Sequence, residues 1–193
     1  TDVLNDLRPN LIINAIGIIK QSDELLDPLS VLAINSIFPH KLAHACSLIG
    51  GRLIHISTDC VFKGDKGLYS EHDQPDANDL YGASKHLGEV YDGDHITLRT
   101  SIIGHEISSN ASLIDWFLSQ EHKVNGYQNA IFSGLPTVEL SAIICEYILQ
   151  NSSLKGLYHV AAPPIDKLSL LRLVSEVYEK KIIIDPVTNP KID

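Results

Sequence analysis

Three short runs that read as β-strands, each separated from the next by a helical pattern, are the feature that most constrains the fold of this chain. The runs cover residues 11–16, 52–56 and 95–99, and the helical patterns cover 28–48 and 79–91. The longer helical pattern opens on a proline and is followed by two glycines, which commonly begin and end helices. A β-α-β-α-β order of this kind is typical of α/β proteins. The sequence therefore predicts a doubly wound parallel sheet.

The pattern changes after Gly104, where the predicted elements become shorter and mixed. Helices are expected at 113–118, 138–149 and 168–178, and strands at 123–134, 156–160 and 182–184. Elements of this length and variety indicate a small lobe rather than a continuation of the sheet. We therefore divide the chain into a sheet domain over 1–105 and a mixed C-terminal lobe over 106–193.

Tyr81 and Lys85 lie four residues apart in a predicted helix, so both side chains project from one face. A phenol with a pKa of about 10 is a poor proton donor at neutral pH, and a neighbouring ammonium favours its ionised form. Thr58 lies two residues after the run 52–56, at the predicted end of that strand. Strand ends of this kind are where α/β sheets place their ligands. A Tyr-x-x-x-Lys pair is weak evidence on its own. Together with the Thr58 hydroxyl, which can hold a carbonyl, it predicts a proton-relay site for carbonyl reduction or alcohol oxidation.

Composition and charge argue against several other classes of protein. A net charge of −9 and a pI near 5.4 argue against electrostatic binding of nucleic acid. No stretch approaches the roughly 20 apolar residues of a membrane span. Three widely spaced cysteines without a Cys-x-x-Cys pair predict reduced thiols in a cytoplasmic protein. His40 and His44 have the spacing of a metal clip, but no third ligand accompanies them, so no metal site is predicted.

Several short segments match one known enzyme family. They are Ser-Thr-Asp-Cys-Val-Phe at 57–62, Tyr-Gly-Ala-Ser-Lys at 81–85, Leu-Arg-Thr-Ser at 98–101 and Ser-Gly-Leu-Pro-Thr at 133–137. Through them the chain resembles the extended short-chain dehydrogenase/reductase family and, within it, the dTDP-4-dehydrorhamnose reductases. The resemblance runs nearly the full length. It implies a Rossmann-like, NAD(P)-binding domain with the catalytic residues over 1–105, and a substrate-binding lobe over most of 106–193.

The resemblance also implies a role for individual residues. Tyr81 would be the catalytic acid/base, Lys85 would lower its pKa and bind the nicotinamide ribose, and Thr58 would position the sugar ketone. The residues expected at the cofactor, NADPH or NADH, are Asn14, Ala15, Ile16, Asn35, Ser57, Tyr81, Lys85, Thr100 and Ser101. Those expected at the substrate are Thr58, Asp59, Ile102 and Lys20.

The implied function is NAD(P)H-dependent reduction of the 4-keto group of a nucleotide-linked deoxysugar, in deoxysugar and cell-surface polysaccharide biosynthesis. The implied partner is a nucleotide-sugar, and the resemblance allows a homodimer. The alternative is a non-catalytic regulatory subunit that binds NAD(P) or a nucleotide. The presence of Thr58, Tyr81 and Lys85 together favours the enzyme. Trp116 is expected in the core of the lobe, with contact to the nucleotide as its alternative.

The sequence departs from the family pattern in three places. Ile102 stands where rhamnose reductases carry an aromatic residue, and residues 16–21 replace the usual Ala-Ala-Tyr-Thr. Both changes lie at the implied substrate pocket, so the identity of the sugar is left open. A Gly-x-x-Gly-x-x-Gly turn, which would hold the cofactor pyrophosphate, is not among the 193 residues. We expect it in a first βαβ unit before Thr1, and we expect the chain without it to bind cofactor poorly and to be inactive.

Overall fold

The computed structural model describes residues 2–19, 27–107 and 112–189. Its strands are β1 (Leu11–Asn14), β2 (Arg52–Thr58), β3 (Ile96–Thr100), β4 (Ile102–Ile103), β5 (Lys123–Tyr127), β6 (Ile131–Phe132), β7 (Leu135–Pro136), β8 (Gly156–His159), β9 (Ile165–Asp166) and β10 (Ile183–Val187). Its helices are α1 (Asp2–Leu7), α2 (Pro28–Leu32), α3 (Phe38–Leu48), α4 (Leu80–Leu87), α5 (Leu113–Ser119), α6 (Thr137–Ile143) and α7 (Lys167–Val177). A π turn at Ala33–Ile37 joins α2 to α3, and another at Ile144–Ile148 continues α6.

Four parallel strands form the central sheet, in the order β1-β2-β3-β8. The five residues of β3 are all buried, and five of the seven in β2 are buried. Burial on both faces is typical of central parallel strands, and here it covers polar residues such as His55, Thr97 and Arg99 as well as apolar ones. The predicted α/β fold with a parallel sheet is confirmed.

The described residues divide into two compact units. The first takes its residues from 1–63, 70–100 and 143–160, and the second takes its residues from 64–69, 101–142 and 161–193. The division made from the sequence placed 143–160 in the lobe, yet this segment contains β8, a strand of the central sheet. The role of 106–193 as a substrate-binding lobe stays a prediction.

The second unit contains short, mixed elements, as the sequence predicts. Strand β5 pairs with β10 and β4 pairs with β7, both in parallel, while β6 and β9 are antiparallel. Helices α5 and α7 contribute Phe117, Leu171 and Val174 to a core that also contains Val124 of β5. This core belongs to the second unit itself, so the unit buries apolar surface of its own.

The helical stretch over 28–48 contains Asn35, one of the residues predicted at the cofactor, in a π turn. Its first turn is capped by the Asp27 side chain, which accepts a hydrogen bond from Leu29 N at 3.2 Å. The π turn within it contains Asn35, which is fully buried. Asn35 Nδ2 donates to Ser84 Oγ in α4 at 3.1 Å. Single π turns inside helices are frequent at functional sites. Through the hydrogen bond between Asn35 and Ser84, this π turn contacts α4, the helix that carries Tyr81.

Helix α4 packs closely against the turn that follows β2, because residue 82 is a glycine. The helix begins after Asp79, whose carboxylate accepts a hydrogen bond from Gly82 N at 2.8 Å. A Cβ added at Gly82 would lie 2.3 Å from the carbonyl oxygen of Cys60. The missing side chain therefore allows Tyr81 and Lys85 to approach the residues that follow β2.

We expect Gly82→Ala to lower the free energy of unfolding by about 2–3 kcal/mol, because overlap with backbone outweighs the ~1 kcal/mol helix preference of alanine. Urea unfolding monitored by circular dichroism measures the change. Gly93→Ala is the control, since Gly93 has φ of 64° but no atom within 4 Å of an added Cβ. Backbone strain alone predicts a loss of about 1 kcal/mol there. A Gly82→Ala protein as stable as the wild type would contradict the close approach of α4.

Candidate active site

Lys85 is a buried cation on the same face of α4 as the half-buried Tyr81. Lys85 is 5% exposed, and its Nζ donates to the Ile56 carbonyl oxygen at 2.7 Å. Burial lowers the pKa of Lys85 to about 8, while the negative charge of Glu89 acts in the opposite direction. Lys85 is therefore mostly protonated at neutral pH. A charge held in this way can favour the ionised form of the phenol four residues earlier.

Thr58 is the last residue of β2 and begins the short 3₁₀ turn Asp59–Val61. Its Oγ1 accepts a hydrogen bond from Cys60 N at 3.1 Å and donates one to Asp59 Oδ1 at 3.2 Å. The hydroxyl is buried, whereas Asp59 is exposed. A carbonyl oxygen is also a suitable acceptor for this hydroxyl proton. The turn thus holds the hydroxyl oxygen and leaves its proton exchangeable between partners.

Asn14 ends β1 and is buried beside His55 of β2. Its Nδ2 donates to His55 Nδ1 at 3.0 Å, and its Oδ1 accepts from Ile16 N at 3.2 Å. Burial, followed by the charge of Lys85, lowers the pKa of His55 to about 3, so the ring is neutral. His55 is buried, and its Nε2 has no hydrogen-bond partner among the described residues.

The segment after β1 is exposed and is held by Asn35. Asn35 Oδ1 accepts from Ile18 N at 2.8 Å, and its Nδ2 donates to the Ile18 carbonyl oxygen at 3.0 Å. A Cβ added at Gly17 would lie 3.5 Å from Asn35 Oδ1 and 3.7 Å from Lys85 Nζ. Backbone of this segment therefore lies directly beside the Lys85 ammonium. Ala15 and Ile16, which were expected at the cofactor, are exposed in the same segment.

The other predicted site residues fall in different places. Thr100 is buried at the end of β3, opposite Thr58 in the sheet register. Ser101 and Ile102 belong to the second unit, where Ile102 is 53% exposed. Lys20 lies outside the described residues. Contact of these residues with cofactor or substrate stays a prediction.

Glu89 is a central residue that motif reasoning missed. It is 4% exposed, and Arg99 donates to both of its carboxylate oxygens, from Nε at 2.6 Å and from Nη2 at 2.7 Å. Ser57 Oγ and His86 Nδ1 donate to it at 3.0 and 2.9 Å. Burial alone would raise the pKa of Glu89, but these hydrogen bonds hold it below its usual value. The sequence feature that points to Glu89 is its position four residues after Lys85.

The Ser57 hydroxyl, which was expected at the cofactor, donates a hydrogen bond to Glu89 in this structure.

Trp116 was expected in the core of the lobe, and this is wrong: the residue is 40% exposed. It lines an open cavity of about 460 Å³ in the second unit together with Gln120, Lys123, Val124, Asn125 and Tyr127. Trp116 occupies this place because its neighbour Phe117 fills the core instead.

Three further features of the chain concern metals, thiols and membranes. Within 2–19, 27–107 and 112–189, no group of three or more His, Cys, Asp or Glu is placed to hold a metal ion. His40 is exposed, and its Nε2 lies 2.8 Å from the Leu87 carbonyl oxygen. All three cysteines are free thiols. In the described part of the chain, every helix is too short or too polar to cross a membrane.

A family model described as the RmlD substrate binding domain matches residues 1–187. The chain belongs to this family. The dTDP-4-dehydrorhamnose reductase of Escherichia coli is 27% identical over 171 residues, which make up 83% of this chain and 57% of the relative. The spore coat polysaccharide biosynthesis protein SpsK of Bacillus subtilis is 29% identical over 163 residues, 80% of this chain and 56% of the relative. The chain thus spans less than three fifths of the length of these relatives.

Solved structures give the same result for this RmlD-family chain. A dTDP-4-dehydrorhamnose reductase from Bacillus anthracis, in complex with NADP, superposes with a TM-score of 0.83 at 25% identity, covering 97% of this chain and 69% of that one. A hypothetical dTDP-4-dehydrorhamnose reductase from Sulfolobus tokodaii gives 0.83 at 27% identity, covering 98% and 68%. The Rossmann-like fold and the resemblance to dTDP-4-dehydrorhamnose reductases are confirmed.

Proposed function

We propose that the chain carries the catalytic site of an NAD(P)H-dependent oxidoreductase of the short-chain dehydrogenase/reductase type. Its reaction is the reduction of the 4-keto group of a nucleotide-linked deoxysugar, for deoxysugar and cell-surface polysaccharide biosynthesis in the cytoplasm. The observation that carries the proposal is the buried Lys85 ammonium on the helix of Tyr81, beside the strand end of Thr58. The names of the relatives support the same reaction class.

The residues fit a cofactor with a ribose and a nicotinamide ring. The exposed segment after β1 lies beside Lys85 Nζ, which gives a hydroxyl-bearing ribose a cation and backbone groups to bind. When bound, NAD(P)H supplies the hydride that reduces the carbonyl carbon. Tyr81 donates its phenolic proton to the carbonyl oxygen, and Lys85 stabilises the phenolate that is left. Thr58 holds the carbonyl oxygen in place through its hydroxyl.

We also propose that the cavity in the second unit receives the planar base of the nucleotide. Trp116 and Tyr127 offer aromatic surface for stacking, and Gln120 and Asn125 offer amide groups for hydrogen bonds. Its volume of about 460 Å³ lies in the range of ligand pockets. Ile102 and Lys20 are proposed at the sugar, where the sequence departs from the rhamnose reductases. The sugar is therefore defined here only as a 4-keto-deoxysugar.

The alternative is a regulatory subunit that binds NAD(P) or a nucleotide without turnover. A binding subunit has no use for a buried lysine beside a tyrosine, since burying a charge is costly. Self-association into a homodimer is compatible with either function and is part of the proposal.

The proposal is tested with the protein as its gene encodes it, mixed with a nucleotide-linked 4-keto-deoxysugar and NADPH or NADH that carries deuterium at both C4 positions of the nicotinamide ring. We expect oxidation of the cofactor and transfer of deuterium to C4 of the sugar, detected by mass spectrometry. A matched reaction with the 4-hydroxy sugar and reduced cofactor is the control and should be silent. Binding of both ligands with no transfer of deuterium would support the regulatory subunit and would overturn the reductase.

A further inference from the structure

The four donors to Glu89 come from elements that carry the candidate site. Ser57 immediately precedes Thr58 at the end of β2, and Arg99 immediately precedes Thr100 at the end of β3. Ser57 and Arg99 are also direct partners in the sheet register. One carboxylate therefore cross-links the carboxyl ends of the two central strands. It lies just past the end of α4, four residues after Lys85.

Arg99 extends the same cluster to neighbouring parts of the first unit. Its Nη1 donates to His159 Nε2 of β8 at 3.3 Å, and its guanidinium lies 5.1 Å from the centre of the Phe62 ring. The rings of Phe62 and His159 meet edge to face at 5.8 Å. Three adjacent strands and the segment after β2 are thus tied to one buried ion pair, which we call the Glu89 cluster (Ser57, Phe62, His86, Glu89, Arg99 and His159).

Stability alone is a poor explanation for this arrangement. A buried ion pair usually contributes little net stability, because removing two charges from water offsets their attraction. Apolar residues of similar size would hold the same elements together. What apolar residues would not supply is a directional contact to the residue before Thr58, together with a negative charge near Lys85.

From this geometry we infer that Glu89 is a positioning residue for the active site. Its carboxylate fixes the strand end that presents the Thr58 hydroxyl, and its charge keeps Lys85 in the ammonium form. The inference rests on the proposed function for its kinetic part, whereas the state of Lys85 can be measured without any substrate.

The test compares Glu89→Gln, Glu89→Asp and the double variant Glu89→Gln with Arg99→Gln. Glu89→Gln removes the charge and keeps the shape, so the pKa of Lys85, followed by NMR of its Nζ and Cε, should fall by about half a unit or more. Glu89→Asp keeps the charge but shortens the side chain. It should leave the pKa of Lys85 near its wild-type value and still lower kcat by about tenfold or more, with KM little changed.

The double variant protects the test against loss of folding, since it does not leave the Arg99 guanidinium buried without its carboxylate partner. We expect wild-type thermal stability from it, but a lowered pKa of Lys85 and a lowered kcat. Glu146→Gln removes an exposed carboxylate of the same unit and serves as the matched control. If the pKa of Lys85 and kcat both returned to wild-type values in the double variant, the Glu89–Arg99 ion pair would be purely structural. That result would overturn the inference. If the wild type has no reductase activity, the proposed function fails, while the titration of Lys85 still decides the role of the Glu89 charge.

Discussion

Tyr81→Phe is expected to lower kcat for ketone reduction by roughly 10²–10⁴-fold while leaving the affinity for NAD(P)H nearly unchanged. The phenol supplies a proton in the transition state and little binding energy, so its removal should not weaken the ground-state complex. Half-buried on α4, the ring keeps its packing when only the hydroxyl is removed. Steady-state kinetics give kcat, and calorimetry with NADPH and NADH gives the affinity.

Tyr91→Phe provides a matched control for this variant. Tyr91 is 58% exposed and lies beyond the end of α4, so loss of its hydroxyl should leave kcat at the wild-type value. If Tyr81→Phe retained more than about a tenth of wild-type turnover, a proton donor other than Tyr81 would have to be assigned.

The central sheet could be predicted because its information is local. Strand-like segments at 11–16, 52–56 and 95–99 alternate with helical patterns at 28–48 and 79–91, and this order predicts a parallel α/β sheet. The helix over 28–48 has a proline at its start and glycines after its end. The same local patterns predict Thr58 at a strand end and Tyr81 with Lys85 on one helix, as the structure shows.

The contacts that join distant segments could not be predicted in this way. Strand β8 has the pattern of any short strand, and its place beside β3 depends on pairing across more than 50 residues. Glu89 is separated from Ser57 by 32 residues and from Arg99 by 10, and its position four residues after Lys85 does not by itself distinguish a buried carboxylate from a surface one. Trp116 was misplaced because Trp116 and Phe117 are adjacent, and helical periodicity does not decide which of two neighbouring aromatic residues enters the core.

Lys85→Met is expected to lower activity strongly and, at the same time, to stabilise the fold. The pKa of Lys85 is lowered from 10.5 to about 8 by burial, which corresponds to a cost of about 3 kcal/mol for keeping the charged form folded. Methionine fills a similar volume without this cost, although the hydrogen bond to the Ile56 carbonyl oxygen is lost. We expect a net gain of about 1–2 kcal/mol at pH 7, measured by urea unfolding.

The pH dependence of the same variant gives the sharper test. Because the pKa of Lys85 is lower in the folded state, the unfolded chain binds more protons between about pH 8 and 10.5. The contribution of Lys85 to stability therefore becomes more favourable as pH rises through this window, and the advantage of Lys85→Met should shrink. Lys41→Met, at an exposed position of α3, should show neither the gain nor the trend.

The kinetic consequence of the lysine change follows from the same charge. Without an ammonium beside it, the Tyr81 phenol should ionise only at higher pH, so residual alcohol oxidation in Lys85→Met should have its optimum shifted upward. Affinity for NAD(P)H should also fall further than in Tyr81→Phe, because a contact to the ribose is lost along with the charge. A pH–rate profile identical to that of the wild type, combined with unchanged stability, would mean that Lys85 is neither buried as a cation nor coupled to Tyr81.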